Sequence, residues 1–462
     1  MKWSRLLNWD RLGEERKWAI EPSRSPWQID YDRIVFSSCF RRLQDKTQVF
    51  PLSGSDYIRT RLTHSIEVST VARTLGTTAG ATILQRHKGE TVDNNGTPAK
   101  LGEIVSASEI GALVAASALA HDIGNPPFGH SGEDAVRHWF DTTRRLNAPR
   151  RKLSAAQKSD FSNWEGNAQG FRILTRLQMY KDQGGMRLTH STLAAFLKYP
   201  VQSTEVIASA GKPKASRKKF GVFESERELL EKVASETGLL KRQGSQNSWC
   251  RHPLAFLMEA ADDICYRIVD LEDGFRLNRV SFAETSDLLR KIATRVDPSK
   301  IEARSTNLER IGYLRAIAIR QLVEQVVEVF LDNEDAMLSG KFDTPLTEEI
   351  KNFAELEEIK QVMKRNVYNT PSVLETEAAG FQIIPGLLDL FWSAVSAEED
   401  SRNRRRSEKV LQLIPKEYQG PRGSSPDKVY ERLLRLTDYV TGMTDSYALS
   451  TYRKLNGIAL PS

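Results

Sequence analysis

Apolar residues in this chain of 462 residues recur at steps of three and four. Leu433, Leu436, Val440, Met443 and Tyr447 form one such run; Leu308, Ile311 and Leu314, then Leu322, Val326 and Phe330, form another. That spacing is one face of a helix. It predicts further helices at about 58–80, 102–122, 132–140, 165–178, 224–238, 253–274, 280–296 and 373–398. Period-two alternation is scarce. Gln48–Val49–Phe50 and Met186–Arg187–Leu188 offer a short β-ribbon at most. The expected fold class is all-α, with a helical core over 1–300 and a C-terminal helical extension over 301–462 packed on it. The sequence has no internal repeat.

Polar, turn-forming stretches separate the helical ones. Residues 86–100 (RHKGETVDNNGTPAK), 209–219 (SAGKPKASRKK) and 401–409 (SRNRRRSEK) are expected as surface loops. Hydrophobic residues make up 40% of the chain, enough for a sizeable core. The net charge of +6 and pI of about 9.0 favour anionic partners such as nucleotides, phosphates or nucleic acid. Cys39, Cys250 and Cys265 are scattered and odd in number, which argues against disulfide staples and a thiolate zinc site. The longest apolar run, Ile110 to Ala120, is too short to span a bilayer. The opening MKWSRLLNWDRLGEERKW has no apolar leader segment. These features lead us to expect a reduced, cytoplasmic protein without membrane contact.

The apolar run ends in HDIGNPPFGH, residues 121–130. His121 continues the stripe of Ile110, Leu113, Val114, Ser117 and Ala118. Gly124 and Pro126–Pro127 turn the chain at once. Ser131 then reads as a helix N-cap, with Asp134 as its capping-box partner. His121 and Asp122 thus stand at a rigid corner, as metal ligands must. TRLTHSIEV places His64 in an amphipathic helix, where a buried polar ring is costly. EAADDICYRIVDLEDG places Asp262 and Asp263 beyond the apolar run Leu254–Met258, where a carboxylate needs a partner. A divalent ion would supply one. Two histidines and two aspartates form a mixed nitrogen and oxygen set, which suits Mn, Fe, Co, Ni or Zn, and Mg less well.

Histidine, then His–Asp, then aspartate, all on helices, resembles the signature of the HD-domain metal-dependent phosphohydrolases. FRRLQDKTQVF, TRLTHSIEVS, HDIGNPPFGHSGE, EGNAQGFRIL, LKYP, EAADDICYRIVDLEDG and DYVTGMTDSYAL together resemble the deoxyguanosine triphosphate triphosphohydrolase (dGTPase) branch, over about residues 30–450. The resemblance implies an HD-type core that hydrolyses deoxynucleoside triphosphates to a deoxynucleoside and inorganic tripolyphosphate with a divalent metal ion.

The resemblance also implies roles. His64, His121, Asp122 and Asp262 match the metal ligands. Asp262 is preferred to Asp263 because Asp262, Tyr266 and Asp270 form a stripe at i, i+4 and i+8. Positions matching Tyr266 and Asp270 pack on the deoxyribose and bond its 3′-hydroxyl, and a close tyrosine leaves little room for a 2′-hydroxyl. His130 matches the general acid for the leaving 5′-oxygen, and Glu165 the carboxylate that orients it. Arg61, three residues before His64 on the same face, reaches the α-phosphate. Lys198 and Tyr199 match residues that hold the outer phosphates. Gln48 resembles the residue that meets the sugar or base, and Asn167 supports the site. Asn125 stands in the substrate pocket where some relatives have histidine.

The implied partners are a deoxynucleoside triphosphate substrate and further copies of the chain, often as a hexamer. The basic stretches 209–219 and 401–409 add single-stranded DNA, with Arg404–Arg406 as the contact, although neither has the aromatic interleaving of a stacking groove. Two rival readings use the same residues. One is another HD-type nucleotide phosphohydrolase or phosphodiesterase; the other is a single-stranded nucleic-acid-binding protein with a vestigial site. The EGNAQ block and the Tyr266–Asp270 stripe disfavour the first. The intact ligand set and the His130–Glu165 pair disfavour the second.

Overall fold

The computed structural model describes residues 1–14, 24–48, 59–94, 96–178, 185–206, 215–396 and 404–459. Helices dominate these residues, as the periodicity requires. Those that carry the site or pack behind it are α1 (Arg61–His87), α2 (Ala107–Leu119), α3 (Gly129–Thr142), α4 (Gly166–Arg172), α5 (Pro253–Arg276), α6 (Asn307–Asp332), α7 (Pro371–Val395), α8 (Pro426–Thr441) and α9 (Asp445–Leu455). Side chains fix where several begin. Thr60 and Thr63 close a capping box on α1, Ser106 and Glu109 on α2, and Thr306 and Glu309 on α6. At the head of α5, His252 accepts from the Leu254 N–H, and Pro253 takes the first helical position.

The helix α2 is apolar on almost every side and is accordingly buried, from Ile110 to Leu119 with only Ala112 partly exposed. It crosses α1 at very short range. A methyl on Gly111 would lie 2.1 Å from Thr77 Oγ1 and 2.9 Å from the Arg73 carbonyl oxygen. A methyl on Gly76 would lie 2.8 Å from Val114. The pair of glycines therefore sets the spacing between the helix that carries His64 and the helix that leads into His121.

Two apolar clusters make the interior. The larger gathers Val68, Leu75, Leu113, Ile264 and Ile268 with Leu322 and Val326 of α6. The other joins Val136, Trp139 and Phe140 of α3 to Leu387, Leu388 and Phe391 of α7 and Leu433 and Leu436 of α8. Both clusters draw side chains from before and after residue 300. By length and composition α7 could cross a bilayer, but its Ile383–Trp392 face is buried in the second cluster.

Several sequence expectations are corrected. The stretch 86–100 is not wholly a loop: Thr91–Asn94 and Thr97–Lys100 pair as an antiparallel hairpin, with Thr91 opposite Lys100. Its strands are short and polar, and only Val92 is buried, so no alternation marked them. The proposed ribbon does not form among the described residues. Thr47 instead bridges Thr60, and Thr189 bridges Arg11, while 49–50 lie outside the described residues. The charged run from Arg404 winds into the helix Arg404–Leu413, and 401–403 lie outside. The helix α2 ends at Leu119, so His121 and Asp122 stand in the turn that follows it. Ser131 does not cap α3, which starts at Gly129 with Phe128 in the cap position and no side-chain cap. Asp134 pairs with Arg137 instead, at 2.8 Å.

Candidate active site

The first turn of α1, the turn after α2 and the middle of α5 bring four side chains to one point. His64 Nε2 lies 3.2 Å from Asp262 Oδ1, and His121 Nε2 lies 3.6 Å from the same oxygen. His121 Nε2 is also 3.5 Å from Asp122 Oδ1. The two imidazole centres are 5.3 Å apart. Neighbours aim these groups. His121 Nδ1 donates to the Ala118 carbonyl at 2.7 Å, which turns the Nε2 lone pair inward. Asp122 Oδ2 accepts from Arg61 at 2.7 Å, and Oδ1 accepts from the Asn125 amide at 2.5 Å. Asp263, next to Asp262 on α5, turns elsewhere. Its Oδ2 accepts from Thr347 Oγ1 at 2.6 Å and its Oδ1 pairs with Arg267 at 3.2 Å.

The donor set fits a divalent ion. Candidate ligand atoms of His64, His121 and Asp262 all lie within 4.8 Å of one another, and Asp122 completes the corner. Burial disfavours charge on Asp122, but His121 and Arg61 outweigh it and hold its carboxyl at about 2. Asp262 is likewise buried, and His121 and His64 hold it well below the usual carboxylate range. Both are therefore ionised near neutrality.

A cavity of about 540 Å³ opens beside this point, within the range of small-molecule sites. It gathers Gln48, Arg61, Asn125, His130, Asn167, Lys198, Tyr199 and Tyr266 around the four ligand-type residues. The Oε1 of Gln48 is buried without a hydrogen-bond partner among the described residues. Lys198 is no surface lysine: its side chain is 22% exposed, and Glu259 holds its Nζ at 3.3 Å. Arg251 braces that pair from behind, 2.6 Å from Glu259 and 2.7 Å from the Lys198 carbonyl.

Two expected site residues stand behind the wall. Asp270 is buried and pushed up to about 7 by that burial; it reaches the cavity through Tyr368, whose hydroxyl donates to Asp270 Oδ2 at 3.2 Å. Tyr368 also stacks on Tyr266, with ring centres 5.8 Å apart and planes 19° apart. Glu165 does not orient His130 in this structure. His130 Nδ1 lies 2.9 Å from Glu133 Oε2, while Glu165 pairs with Arg137 at 2.7 Å and Lys219 at 2.9 Å. Glu133 is closer for a local reason: it sits one turn beyond His130 on α3. Burial raises the cost of ionising Glu133, but His130 and Lys219 prevail and hold its carboxyl down. Burial and the Glu133 charge push Glu165 the other way.

Four contributors escaped sequence reasoning. Glu133 carried a signal, the i+3 spacing from His130. Lys219 lay in a basic stretch read as loop. Tyr368 and Glu377 line the cavity from far along the chain, and no local pattern marks them.

Residues 346–454 match the phosphohydrolase-associated domain family. The chain is 42% identical to a deoxyguanosinetriphosphate triphosphohydrolase-like protein of Synechocystis, over all of both chains. It is 36% identical to a protein of the same description from Pseudomonas aeruginosa, again over all of both. A deoxyguanosinetriphosphate triphosphohydrolase of Serratia proteamaculans is 29% identical over 93% of each chain. An all-α core that gathers His64, His121 and Asp262, with Asp122 beside His121, next to a phosphohydrolase-associated segment, is consistent with an HD-type fold. Within it, the chain belongs to the deoxyguanosine triphosphate triphosphohydrolase family.

Proposed function

We propose that this protein hydrolyses deoxynucleoside triphosphates, dGTP-like ones among them, to the deoxynucleoside and inorganic tripolyphosphate. The observation that carries this reading is the juxtaposition of the His64–His121–Asp122–Asp262 cluster with a cavity of about 540 Å³ lined by the stacked Tyr266 and Tyr368. The four residues would hold one divalent ion, of the Mn, Co, Fe, Ni, Zn or Mg group. When bound, that ion supplies positive charge against the α-phosphate and lowers the pKa of water.

The chain's own residues do the rest. Arg61 and Lys198 place cations along the triphosphate, with Tyr199 and Lys219 beside them. Tyr266 packs on the deoxyribose, and Tyr368 and Asp270 hold its 3′-hydroxyl side. Gln48 offers its unpartnered oxygen to the sugar or base. Water attacks the α-phosphorus and gives up a proton to solvent, the bond to the 5′-oxygen breaks, and His130 protonates that oxygen. Glu133 holds His130 Nδ1 and keeps the opposite nitrogen free to face the leaving group. We further propose a homo-oligomer in the cytoplasm, with single-stranded DNA as a secondary contact.

The test is a panel of the four deoxynucleoside triphosphates and GTP with Mn, Co and Mg. Release of tripolyphosphate from deoxynucleotides and little from GTP is expected. Release of orthophosphate or pyrophosphate alone would overturn the reading in favour of another HD-type nucleotide hydrolase.

A further inference from the structure

The α3 helix starts from an unusual backbone. Phe128 sits at φ 63°, ψ 18°, in the left-handed region that bulky residues avoid, and Gly129 follows at φ 59°. Such strain persists only where neighbours over-determine it, and it gathers at functional sites. The strained Phe128 and this glycine immediately precede His130.

What holds it comes from the other end of the chain. Asp445, the first residue of α9, is buried. Its Oδ1 accepts from the Phe128 N–H at 3.0 Å. Its Oδ2 accepts from the Thr47 N–H at 3.0 Å and the Thr47 hydroxyl at 2.7 Å. Thr47 lines the cavity next to Gln48. One buried carboxylate thus spends its acceptors on the backbone of two segments on either side of the site. Lys46 repeats the pattern from the other side: its Nζ donates to the Asn125 carbonyl at 2.5 Å and the Thr441 carbonyl at 3.0 Å.

We propose that Asp445 is a positioning residue for the acid–base step: by holding Phe128 in its left-handed conformation, it aims His130 at the leaving 5′-oxygen. This rests on the reading of His130 as general acid. A role through His130 predicts dependence on how badly the leaving group needs a proton.

The experiment compares dGTP with its 5′-bridging phosphorothiolate analogue, whose thiolate leaves without protonation, on the metal-loaded full-length protein. With dGTP, Asp445→Ala should lower kcat about 30-fold or more, with KM within about 3-fold and metal content unchanged. With the thio analogue the same variant should stay within about 3-fold of wild type. Asp445→Asn keeps the volume and one acceptor, and serves where the alanine variant does not fold; the same split is expected of it. Equal slowing on both substrates, or an unchanged kcat on dGTP, overturns the proposal. His130→Ala in parallel separates the two levels. If the thio analogue spares His130→Ala but not Asp445→Ala, the positioning role alone falls; if it spares neither, the acid assignment falls as well.

Discussion

Arg61 grips Asp122 at 2.7 Å, and by taking Oδ2 it leaves Oδ1 facing His121 Nε2 at 3.5 Å. The guanidinium thus presets the carboxylate before any ion arrives, and partners of metal ligands typically matter 10–100-fold in affinity. Arg61→Ala should weaken Mn²⁺ binding by about that factor, read by titration calorimetry without nucleotide. Unchanged affinity would mean that Asp122 needs no such support.

His121 and His130 should separate metal binding from proton transfer. His121→Ala should lose the bound ion and turnover together, measured as metal content by mass spectrometry and tripolyphosphate release. His130→Ala should keep the ion and lose turnover, by about 10²-fold or more. Retained activity in His121→Ala would rule out this cavity as the catalytic one.

Glu133 and Glu165 compete for the role of orienting carboxylate, and the geometry favours Glu133 at 2.9 Å from His130. Glu133→Gln should therefore lower kcat more than Glu165→Gln does, with KM little changed in either. The reverse order would return the role to Glu165.

Sugar selection should reside in the tyrosine stack. Tyr266→Ala should admit GTP and shrink the dGTP-to-GTP ratio of kcat/KM by about 10-fold or more. Tyr368→Phe removes only the hydroxyl that donates to Asp270. It should raise the KM for deoxynucleotides by a factor of about 5, the worth of one hydrogen bond. No change in sugar preference in Tyr266→Ala would place the 2′-discrimination elsewhere.

His252 should contribute to acid lability. It is fully buried, its Nδ1 accepts the Leu254 N–H at 3.1 Å, and its Nε2 donates to the Leu6 carbonyl at 3.0 Å. Accepting at Nδ1 requires the neutral ring, and burial lowers its pKa from 6.5 to about 4 although the Leu6 carbonyl favours the charged form. The unfolded chain therefore takes up the proton first as pH falls. This stability is complete above pH 6.5 and is lost on descending towards 4, at up to about 1.4 kcal/mol per pH unit. His252→Asn, which can still cap α5, should flatten that part of the denaturation profile. An unaltered slope would refute the assignment.

Much of this was written locally. The periods of three and four reflect a helix face that must be buried, so the helices around His64, Asp262 and Leu433 were readable from their own residues. So was the corner at His121–Asp122, because glycine and paired prolines act on the backbone where they stand. Even the residue types that meet at the cluster followed, since a carboxylate or imidazole on an apolar face demands a partner.

Distance along the chain is where local reading stopped. Tyr368 stands 98 residues from the Asp270 it bonds, and Asp445 stands 317 from Phe128. Nothing near either residue encodes the meeting: the helix Phe353–Met363, which leads to Tyr368, packs on α5, and α7 packs on both α3 and α9. His130 had two carboxylates of the right chemistry to choose from. The choice fell to Glu133 because helix geometry put it one turn away, while Arg137 and Lys219 drew Glu165 aside. Chemical type is carried by the residue itself, whereas partnership is set by which surfaces the packed core brings within a few ångströms of each other.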